Sequence, residues 1–339
     1  MTEVKRLKSV LQRFKHSVSD KDFPRWMYLM FDRCNSRCQT CNIWSQEPCS
    51  KPLKPEDFRR ILSSELFRNI EYIGITGGEP TLFDLYGFFR AGHEVHPKAT
   101  LTVSSNGLLP HKLYDVVSRC LKEGMRLEVG LSLDGVGEFH DYWRGVKDNF
   151  VKVDWLIHKL SELRLLYPNL LTVGVGSTLT LETAGQADAL VSYCRKLNVP
   201  FMWHWFNFAS FYHNDPRPMD TAVFESAVLK VMGKSIFRDM WLYHLRTRKF
   251  PRLKCRALSS YFLLNCDGTV RPCLTLWDQS AGNMLENDPL TVWHSEQAEL
   301  VRKTVASCHG CLNKWACDWN LTMSYPAYLV RKAKVRLSS

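Results

Sequence analysis

Residues 26–41 read Trp-Met-Tyr-Leu-Met-Phe-Asp-Arg-Cys-Asn-Ser-Arg-Cys-Gln-Thr-Cys. The first six residues form a short apolar run that predicts a buried β-strand, and a polar loop with three cysteines follows directly. Loops at the carboxyl ends of parallel strands hold the active sites of barrel enzymes. This stretch therefore predicts the first unit of a β/α fold and the position of its reactive groups.

Further apolar runs follow the first one and alternate with longer amphipathic segments. Strands are predicted over residues 70–76, 100–104, 127–133, 171–179 and 201–206, and helices over residues 55–66, 111–123, 150–165 and 183–197. Near-continuous apolar strands indicate a parallel sheet buried on both faces. Six units are fewer than the eight of a closed barrel. The expected fold class is therefore α/β, a partial (β/α)6 barrel with a lumen open on one side, followed by a small cysteine-rich, metal-binding C-terminal domain.

The expected domain organisation is a barrel core with additions at both ends. It comprises a basic N-terminal extension (1–25), the core (26–212), a linker helix (213–254), the cysteine-rich domain (255–325) and a basic tail (326–339). No long apolar run or secretory signal occurs, so we expect a cytoplasmic protein without a membrane partner. The formal charge of +11 indicates a basic surface, and twelve cysteines without a signal segment indicate metal binding or catalysis more than disulfides.

The first cysteine group comprises Cys34, Cys38 and Cys41. Three thiolates this close can hold one iron-sulfur cluster, and a four-iron cluster with three protein ligands keeps one iron open. An open iron could bind a small molecule through an amine and a carboxylate. The alternative is a zinc site that lacks its fourth ligand.

A Gly-Gly-Glu-Pro turn ends the second predicted strand at Gly77, Gly78 and Glu79. Paired glycines let a backbone approach a ligand closely, and peptide groups or the carboxylate can then bind an ammonium group. Such a turn alone is weak evidence, but it lies one β/α unit after the cysteine loop.

With these two motifs the chain resembles the radical S-adenosylmethionine (SAM) enzymes over about residues 26–207. The resemblance implies that Cys34, Cys38 and Cys41 hold a 4Fe-4S cluster whose free iron chelates the methionine part of SAM. An external one-electron reductant of the flavodoxin or ferredoxin type would then drive cleavage of SAM to a 5′-deoxyadenosyl radical, which takes a hydrogen atom from the substrate. The family usually has an aromatic residue before the third cysteine, where this chain has Thr40.

The resemblance also implies SAM contacts at later strand ends. Gly77, Gly78 and Glu79 would meet the amino group of SAM, Asn106 would lie near the ribose, and Ser132 and Arg144 resemble the family residues that contact the ribose and carboxylate. A planar arginine fork suits a carboxylate. Two alternatives stay open: Ser132 with the Asp-Gly after it can be an ordinary strand end and turn, and Arg144 can be a surface ion-pair residue.

The second cysteine group lies in the last quarter of the chain. Cys255 and Cys273 flank a hairpin-turn sequence at residues 265–269, and Cys308 and Cys311 form a second close pair followed by Cys317. Zinc and iron-sulfur clusters both accept four cysteines.

The spacing Cys-x12-Gly-x4-Cys and Cys-x2-Cys-x5-Cys resembles the auxiliary-cluster domain of many radical SAM enzymes, called SPASM with two clusters and twitch with one. Leu321 stands where the two-cluster form has another cysteine. The resemblance therefore implies one auxiliary 4Fe-4S cluster, held by Cys255, Cys273, Cys308 and Cys311 with Cys317 in reserve and Cys266 as a buried thiol. Its role would be electron transfer. The alternative is that the cluster only stabilises the fold of this small domain.

Three functions follow as hypotheses. The first is oxidation or epimerisation of a small metabolite of the sugar or cyclitol type, favoured because only 25 residues precede the first predicted strand, where many peptide-modifying relatives carry a recognition domain. The second is a peptide-modifying maturase, and the third is a zinc-stabilised nucleic-acid-binding protein. On the sixth strand, either Phe201, Trp203 and Trp205 or Met202, His204 and Phe206 would face the lumen.

Overall fold

In the computed structural model, which describes residues 23–250 and 253–313, six parallel strands form the centre of the fold. They pair in the order β6-β5-β4-β3-β2-β1, as predicted for a partial barrel. Their bounds are β1 Trp26–Phe31, β2 Tyr72–Gly77, β3 Thr100–Ser105, β4 Arg126–Ser132, β5 Leu171–Leu179 and β6 Phe201–Trp205.

The two faces of these strands differ, whereas the sequence predicted burial on both. In β4, Leu127, Val129 and Leu131 are buried in the core, while Glu128 and Ser132 line a cavity on the inner face. The apolar residues alternate with small or polar ones in β4 and β5 because the inner face surrounds a lumen instead of a packed centre.

Helices cover the outer face of the sheet. They are α1 Pro55–Leu62, α2 Leu85–Val95, α3 Pro110–Lys122, α4 Glu138–Arg144, α5 Asn149–Leu166, α6 Leu181–Ala184, α7 Ala187–Lys196, α8 Thr221–Val231, α9 Ile236–Thr247, α10 Pro289–Trp293 and α11 Glu296–Ala306. Two single helices predicted from the sequence are each divided in two. The first is interrupted at Gly185, and the second, the linker helix, between Val231 and Ile236, where Ser235 caps α9 by accepting a hydrogen bond from the Arg238 N–H.

The cysteine-rich region extends the barrel sheet. Strand β7 (Tyr261–Asn265) pairs parallel with β1, and β8 (Val270–Arg271) returns antiparallel to β7 through the predicted hairpin turn. The sheet therefore has eight strands, two more than the six predicted for the barrel, because the first hairpin of the C-terminal region joins the edge of β1.

Several predictions concern residues outside those described. They are the basic extension except for its last three residues, the basic tail 326–339 and Cys317. Among the described helices, none is both long and apolar enough to cross a membrane.

Candidate active site

The three-cysteine loop leaves the carboxyl end of β1 and lines a cavity of about 260 Å³ with all three of Cys34, Cys38 and Cys41. The end of α4 holds this loop through backbone hydrogen bonds. Arg37 N–H donates to the carbonyl of Arg144 at 2.9 Å, and Gln39 N–H donates to that of Trp143 at 3.0 Å. The backbone therefore presents all three sulfur atoms to one space.

Several groups lie at hydrogen-bonding distance from the cysteine sulfurs. Ser36 N–H donates to Cys34 Sγ at 3.5 Å, and Ser36 Oγ lies 3.2 Å from Cys38 Sγ. Asn106 Nδ2 donates to Cys34 Sγ at 3.8 Å, and Arg144 Nη1 donates to Cys38 Sγ at 3.5 Å. Such donors stabilise thiolates, the form of cysteine that binds iron.

The charge state of the loop fits a metal cluster. Burial, together with a smaller contribution from the charges of the neighbouring cysteines, raises the pKa of Cys34 to about 11 and that of Cys41 to about 12. Thiols of this kind lose their protons when a cation compensates the charge. Within residues 23–250 and 253–313, no three Cys, His, Asp or Glu side chains converge on a single-ion site. Three thiols around one cavity instead suit a cluster, whose irons bind sulfur at separate corners.

Gly77 and Gly78 lie where β2 meets the cysteine loop, and both line the cavity. A Cβ atom on Gly77 would be 2.2 Å from the carbonyl oxygen of Phe31, and its φ of +102° also favours glycine. A Cβ atom on Gly78 would be 2.1 Å from the carbonyl oxygen of Arg33. Only glycine lets the two backbones come this close.

Glu79 is fully buried, and its carboxylate points away from the cavity into the protein. Oε1 accepts hydrogen bonds from Thr81 and from Ser105 Oγ, and Oε2 accepts one from the Asn106 N–H at 2.7 Å. Burial raises the pKa of Glu79, although these donors oppose the rise. The side chain thereby links the ends of β2 and β3 and orients Asn106, a role that the motif alone did not suggest.

The other predicted SAM contacts lie together at the strand ends. Asn106, Ser132 and Arg144 all line the cavity beside the cysteines. Asn106 Nδ2 also donates to Asn35 Oδ1 at 2.8 Å, which ties β3 to the cysteine loop. Arg144 is not a surface ion-pair residue, because its side chain is only 13% exposed and pairs with Asp134, which is 2% exposed.

A segment after β6 also holds the cysteine loop and was missed by the sequence analysis. Asn214 Nδ2 donates to the carbonyl of Thr40 at 3.0 Å, and Asn42 N–H donates to the carbonyl of Tyr212 at 2.8 Å. These contacts join residues 174 and 170 positions apart, and the loop sequence carries no periodic signal that could have predicted them.

The barrel lumen is a cavity of about 450 Å³ below the cysteine loop. Its lining overlaps with that of the cysteine cavity at Thr76, Gly77, Ser104, Ser132, Arg144, Thr178, His204 and Tyr212. Of the two sets predicted for β6, Met202 and His204 line the lumen. Trp203 is buried on the outer side, where its Nε1 donates to the carbonyl of Ala227 at 3.1 Å.

The second cysteine group also comes together. The charges of Cys311 and Cys308 raise the pKa of Cys255 in addition to its burial, and burial with Cys311 and Cys255 raises that of Cys273 to about 12. Tyr261 Oη lies 3.4 Å from Cys255 Sγ. Cys255 precedes β7, Cys273 follows β8, and Cys308 and Cys311 follow α11; Cys255 and Cys311 pack against the same small cluster of Ala257, Tyr261 and Val305.

The remaining cysteines lie apart from this group. Cys266 is fully buried beside Asp32 and Cys49. Cys120 and Cys194 are buried in α3 and α7.

Comparison with protein families agrees with this geometry. Residues 28–185 match the model of the radical SAM superfamily, and residues 255–312 match the SPASM iron-sulfur cluster-binding domain. The chain belongs to the radical SAM superfamily. It is a radical SAM enzyme with a C-terminal SPASM domain, and both domains imply 4Fe-4S clusters and SAM.

Two curated radical SAM relatives are GTP 3′,8-cyclases. The chain is 32% identical over 107 residues to that of Aliarcobacter butzleri, covering 30% of this chain and 32% of the relative. It is 29% identical over 131 residues to that of Desulforamulus reducens, covering 34% and 39%. The matches therefore span less than two fifths of each relative.

Solved radical SAM structures share the fold over most of the chain. Streptococcus suis SuiB bound to S-adenosylmethionine superposes with a TM-score of 0.67 at 18% identity, covering 91% of this chain and 77% of SuiB. The enzyme anSMEcpe, with AdoMet and the Cp18Cys peptide, gives 0.58 at 17% identity, covering 92% and 99%. At these identities the likeness concerns the fold.

Proposed function

We propose that this radical SAM enzyme oxidises or epimerises a small metabolite of the sugar or cyclitol type with the help of two 4Fe-4S clusters. The cluster ligands would be the two cysteine groups: Cys34, Cys38 and Cys41 for the SAM cluster, and Cys255, Cys273, Cys308 and Cys311, with Cys317 in reserve, for the auxiliary cluster. The observation that carries the proposal is the shared lining of the cysteine cavity and the lumen, because a cofactor in one and a substrate in the other would be in contact.

The chain's own residues would bind and orient both reactants. When bound, the cluster and SAM supply a 5′-deoxyadenosyl radical that takes a hydrogen atom from a substrate carbon. Gly77 and Gly78 line the cavity and would offer backbone peptide groups to the amino group of SAM, and Asn106, Ser132 and Arg144 would offer polar groups to its ribose and carboxylate. The lumen walls would hold the substrate against this site and keep water away from the radical.

The lumen favours a small hydroxylated substrate. Its volume of about 450 Å³ is typical of small-molecule sites. One wall carries the hydroxyl side chains of β2–β5, and the facing wall is apolar and aromatic, with Trp26, Tyr28 and Leu263. Among the described lining residues, the formally charged side chains are Glu128 and Arg144, and Arg144 is paired with Asp134. A triphosphate like that of GTP would therefore meet little positive charge.

The Gly174→Val variant tests the lumen as the substrate site. The space beside Gly174 is open, since a Cβ atom there would have the carbonyl oxygen of Pro200 at 3.9 Å as its nearest contact. Valine suits a strand but would fill part of the lumen, so we expect product formed per 5′-deoxyadenosine to fall about 10²-fold through misplacement of the substrate. Gly233→Val, at a position with open space outside the barrel, is the matched control. An unchanged ratio in Gly174→Val would exclude the lumen.

The auxiliary cluster would accept an electron from the substrate radical in an oxidation, or return one in a redox-neutral reaction. A Cys255→Ala/Cys273→Ala variant should lose about four irons and most product, yet still form 5′-deoxyadenosine, because the first hydrogen transfer does not need the auxiliary cluster. Iron analysis measures the loss of iron. Chromatography of reactions started with a chemical reductant measures the product and 5′-deoxyadenosine. Full product formation without the auxiliary irons would assign that cluster a purely structural role.

A peptide substrate is the second candidate. Strand β6 lies at the end of the described sheet, and an extended peptide can add to such an edge. To separate the candidates, a cell extract would be divided, and one half treated with peptidase, before assaying stimulation of 5′-deoxyadenosine formation. Stimulation that survives peptidase supports a small metabolite, and stimulation that is destroyed supports a peptide.

The nucleic-acid-binding hypothesis does not account for the family assignment. A zinc-stabilised binding module would need neither the radical SAM domain at residues 28–185 nor the cavity that joins the cysteine loop to the lumen. We therefore do not propose nucleic acid as a partner. A flavodoxin- or ferredoxin-type protein remains the proposed electron donor.

A further inference from the structure

A buried carboxylate stands at the end of β4, two residues after Ser132. Asp134 Oδ1 accepts a hydrogen bond from Ser177 Oγ at 2.7 Å and one from the Thr178 N–H at 3.3 Å. Its own N–H donates to His140 Nδ1 at 3.1 Å. Asp134 is 2% exposed, and these contacts fix it between β4, β5 and α4.

The other oxygen of this carboxylate faces the cysteine loop through Arg144. Asp134 Oδ2 lies 2.6 Å from Arg144 Nε, and Arg144 Nη1 donates to Cys38 Sγ at 3.5 Å. The carbonyl of Arg144 accepts hydrogen bonds from the Arg37 N–H and from Ser36 Oγ. One guanidinium thus joins a buried carboxylate, through an ion pair, to a cysteine sulfur, through a hydrogen bond.

We propose that Asp134 is a positioning residue that, through Arg144, sets the reduction potential of the cluster at Cys34, Cys38 and Cys41. The inference rests on the proposed function, since it requires the cluster at these cysteines. It gives Asp134 a role that neither the motifs nor the family match assigns, and it explains why an ion pair is buried beside a substrate cavity. A buried pair is a poor source of stability, because desolvation offsets its attraction.

The electrostatics give opposite signs for the two partners. Reduction adds one electron and makes the cluster more negative, so the positive charge of Arg144 beside Cys38 stabilises the reduced form. The negative charge of Asp134, further away, partly cancels this effect. Removing the Arg144 charge should lower the potential, and removing the Asp134 charge should raise it. If Asp134 and Arg144 only stabilised the fold, their variants would not shift the reduction potential of the cluster in opposite directions.

The test is a redox titration followed by electron paramagnetic resonance on the full chain with both clusters loaded and without SAM. Relative to wild type, we expect Asp134→Asn to raise and Arg144→Gln to lower the equilibrium constant for reduction of the SAM cluster, each about tenfold, or ~59 mV for one electron. The auxiliary cluster is the internal control. Glu71→Gln, which breaks the half-buried Arg25–Glu71 pair at the amino end of β2, is the control for loss of an ion-paired carboxylate outside the site.

Further variants keep the proposal testable if Arg144→Gln does not retain its cluster. Arg144→Lys keeps the positive charge. The reduction potential of its SAM cluster should therefore differ less from the wild-type value than that of Asp134→Asn. Equal potentials in all variants, or shifts of one sign, would overturn the inference while iron stays bound. If the signal persists without Cys34, Cys38 and Cys41, the proposed cluster site itself is wrong.

Discussion

Replacing Cys34, Cys38 and Cys41 together by alanine is expected to lower the iron content from about eight to about four per chain and to abolish 5′-deoxyadenosine formation. The three sulfur atoms share one cavity with Gly77, Gly78 and Arg144, and no other described cysteine lines it. The auxiliary cysteines flank other elements, the β7–β8 hairpin and the end of α11, so their irons should remain. Iron and sulfide analysis with ultraviolet-visible spectra of anaerobically purified protein measures the change.

The matched control for this variant is Cys120→Ala/Cys194→Ala, which removes two buried thiols in α3 and α7 away from both sites. It should keep all the iron and form 5′-deoxyadenosine at the wild-type rate. The assignment of the first cluster would be wrong if the triple variant kept wild-type iron, or if wild-type protein bound zinc and could not be reconstituted with iron.

The Gly77→Ala variant should show the second large effect. Its Cβ atom would lie 2.2 Å from the Phe31 carbonyl oxygen, and the φ of +102° adds strain. The atoms that this Cβ would meet belong to the backbone of Phe31 and not to a flexible side chain. Strands β1 and β2 must therefore move apart where they line the cavity. We expect the free energy of unfolding to fall by at least about 3 kcal/mol and SAM binding to be lost. Denaturant unfolding and calorimetric titration of SAM measure the two effects.

The Gly124→Ala variant separates the effect of backbone strain from the effect of a steric clash. Gly124 also has a positive φ, +77°, but a Cβ atom there would meet nothing within 4 Å. Its variant should lose only about 1–2 kcal/mol and bind SAM normally. Similar losses in both variants would mean that the close approach of β2 to β1 does not matter for the cofactor site.

The sequence predicted the elements whose signal is local. Strands β1 and β5 were predicted with the bounds that the structure has, because β1 is an apolar run bordered by polar residues and β5 alternates Leu and Val with small or polar residues. The cysteine loop and the Gly-Gly-Glu-Pro turn follow such runs, so their meeting at one edge of a parallel sheet could be expected. The breaks at Gly185 and Gly233 were missed, because a single glycine within an amphipathic pattern is a weak helix stop.

Contacts between distant segments could not be predicted. The ion pair between Asp134 and Arg144 depends on the position of α4 relative to the end of β4. The hydrogen bond from Asn214 to the carbonyl of Thr40 depends on the path of the loop after β6. The orientation of the Glu79 side chain could not be predicted either, since a carboxylate after a turn can face a ligand or the protein interior. Its burial depends on donors from Thr81, Ser105 and Asn106.

The parallel pairing of β7 with β1 makes the two cysteine groups parts of one rigid frame. Strand β1 leads into the first group, and β7 follows Cys255 of the second, so the hydrogen bonds between these strands fix their separation. The barrel is consequently not an independent module. Without the C-terminal region, β1 would become an outer strand with unsatisfied peptide groups, open to association with another chain. Any segment that replaced the auxiliary region would therefore have to pair with this edge or cover it.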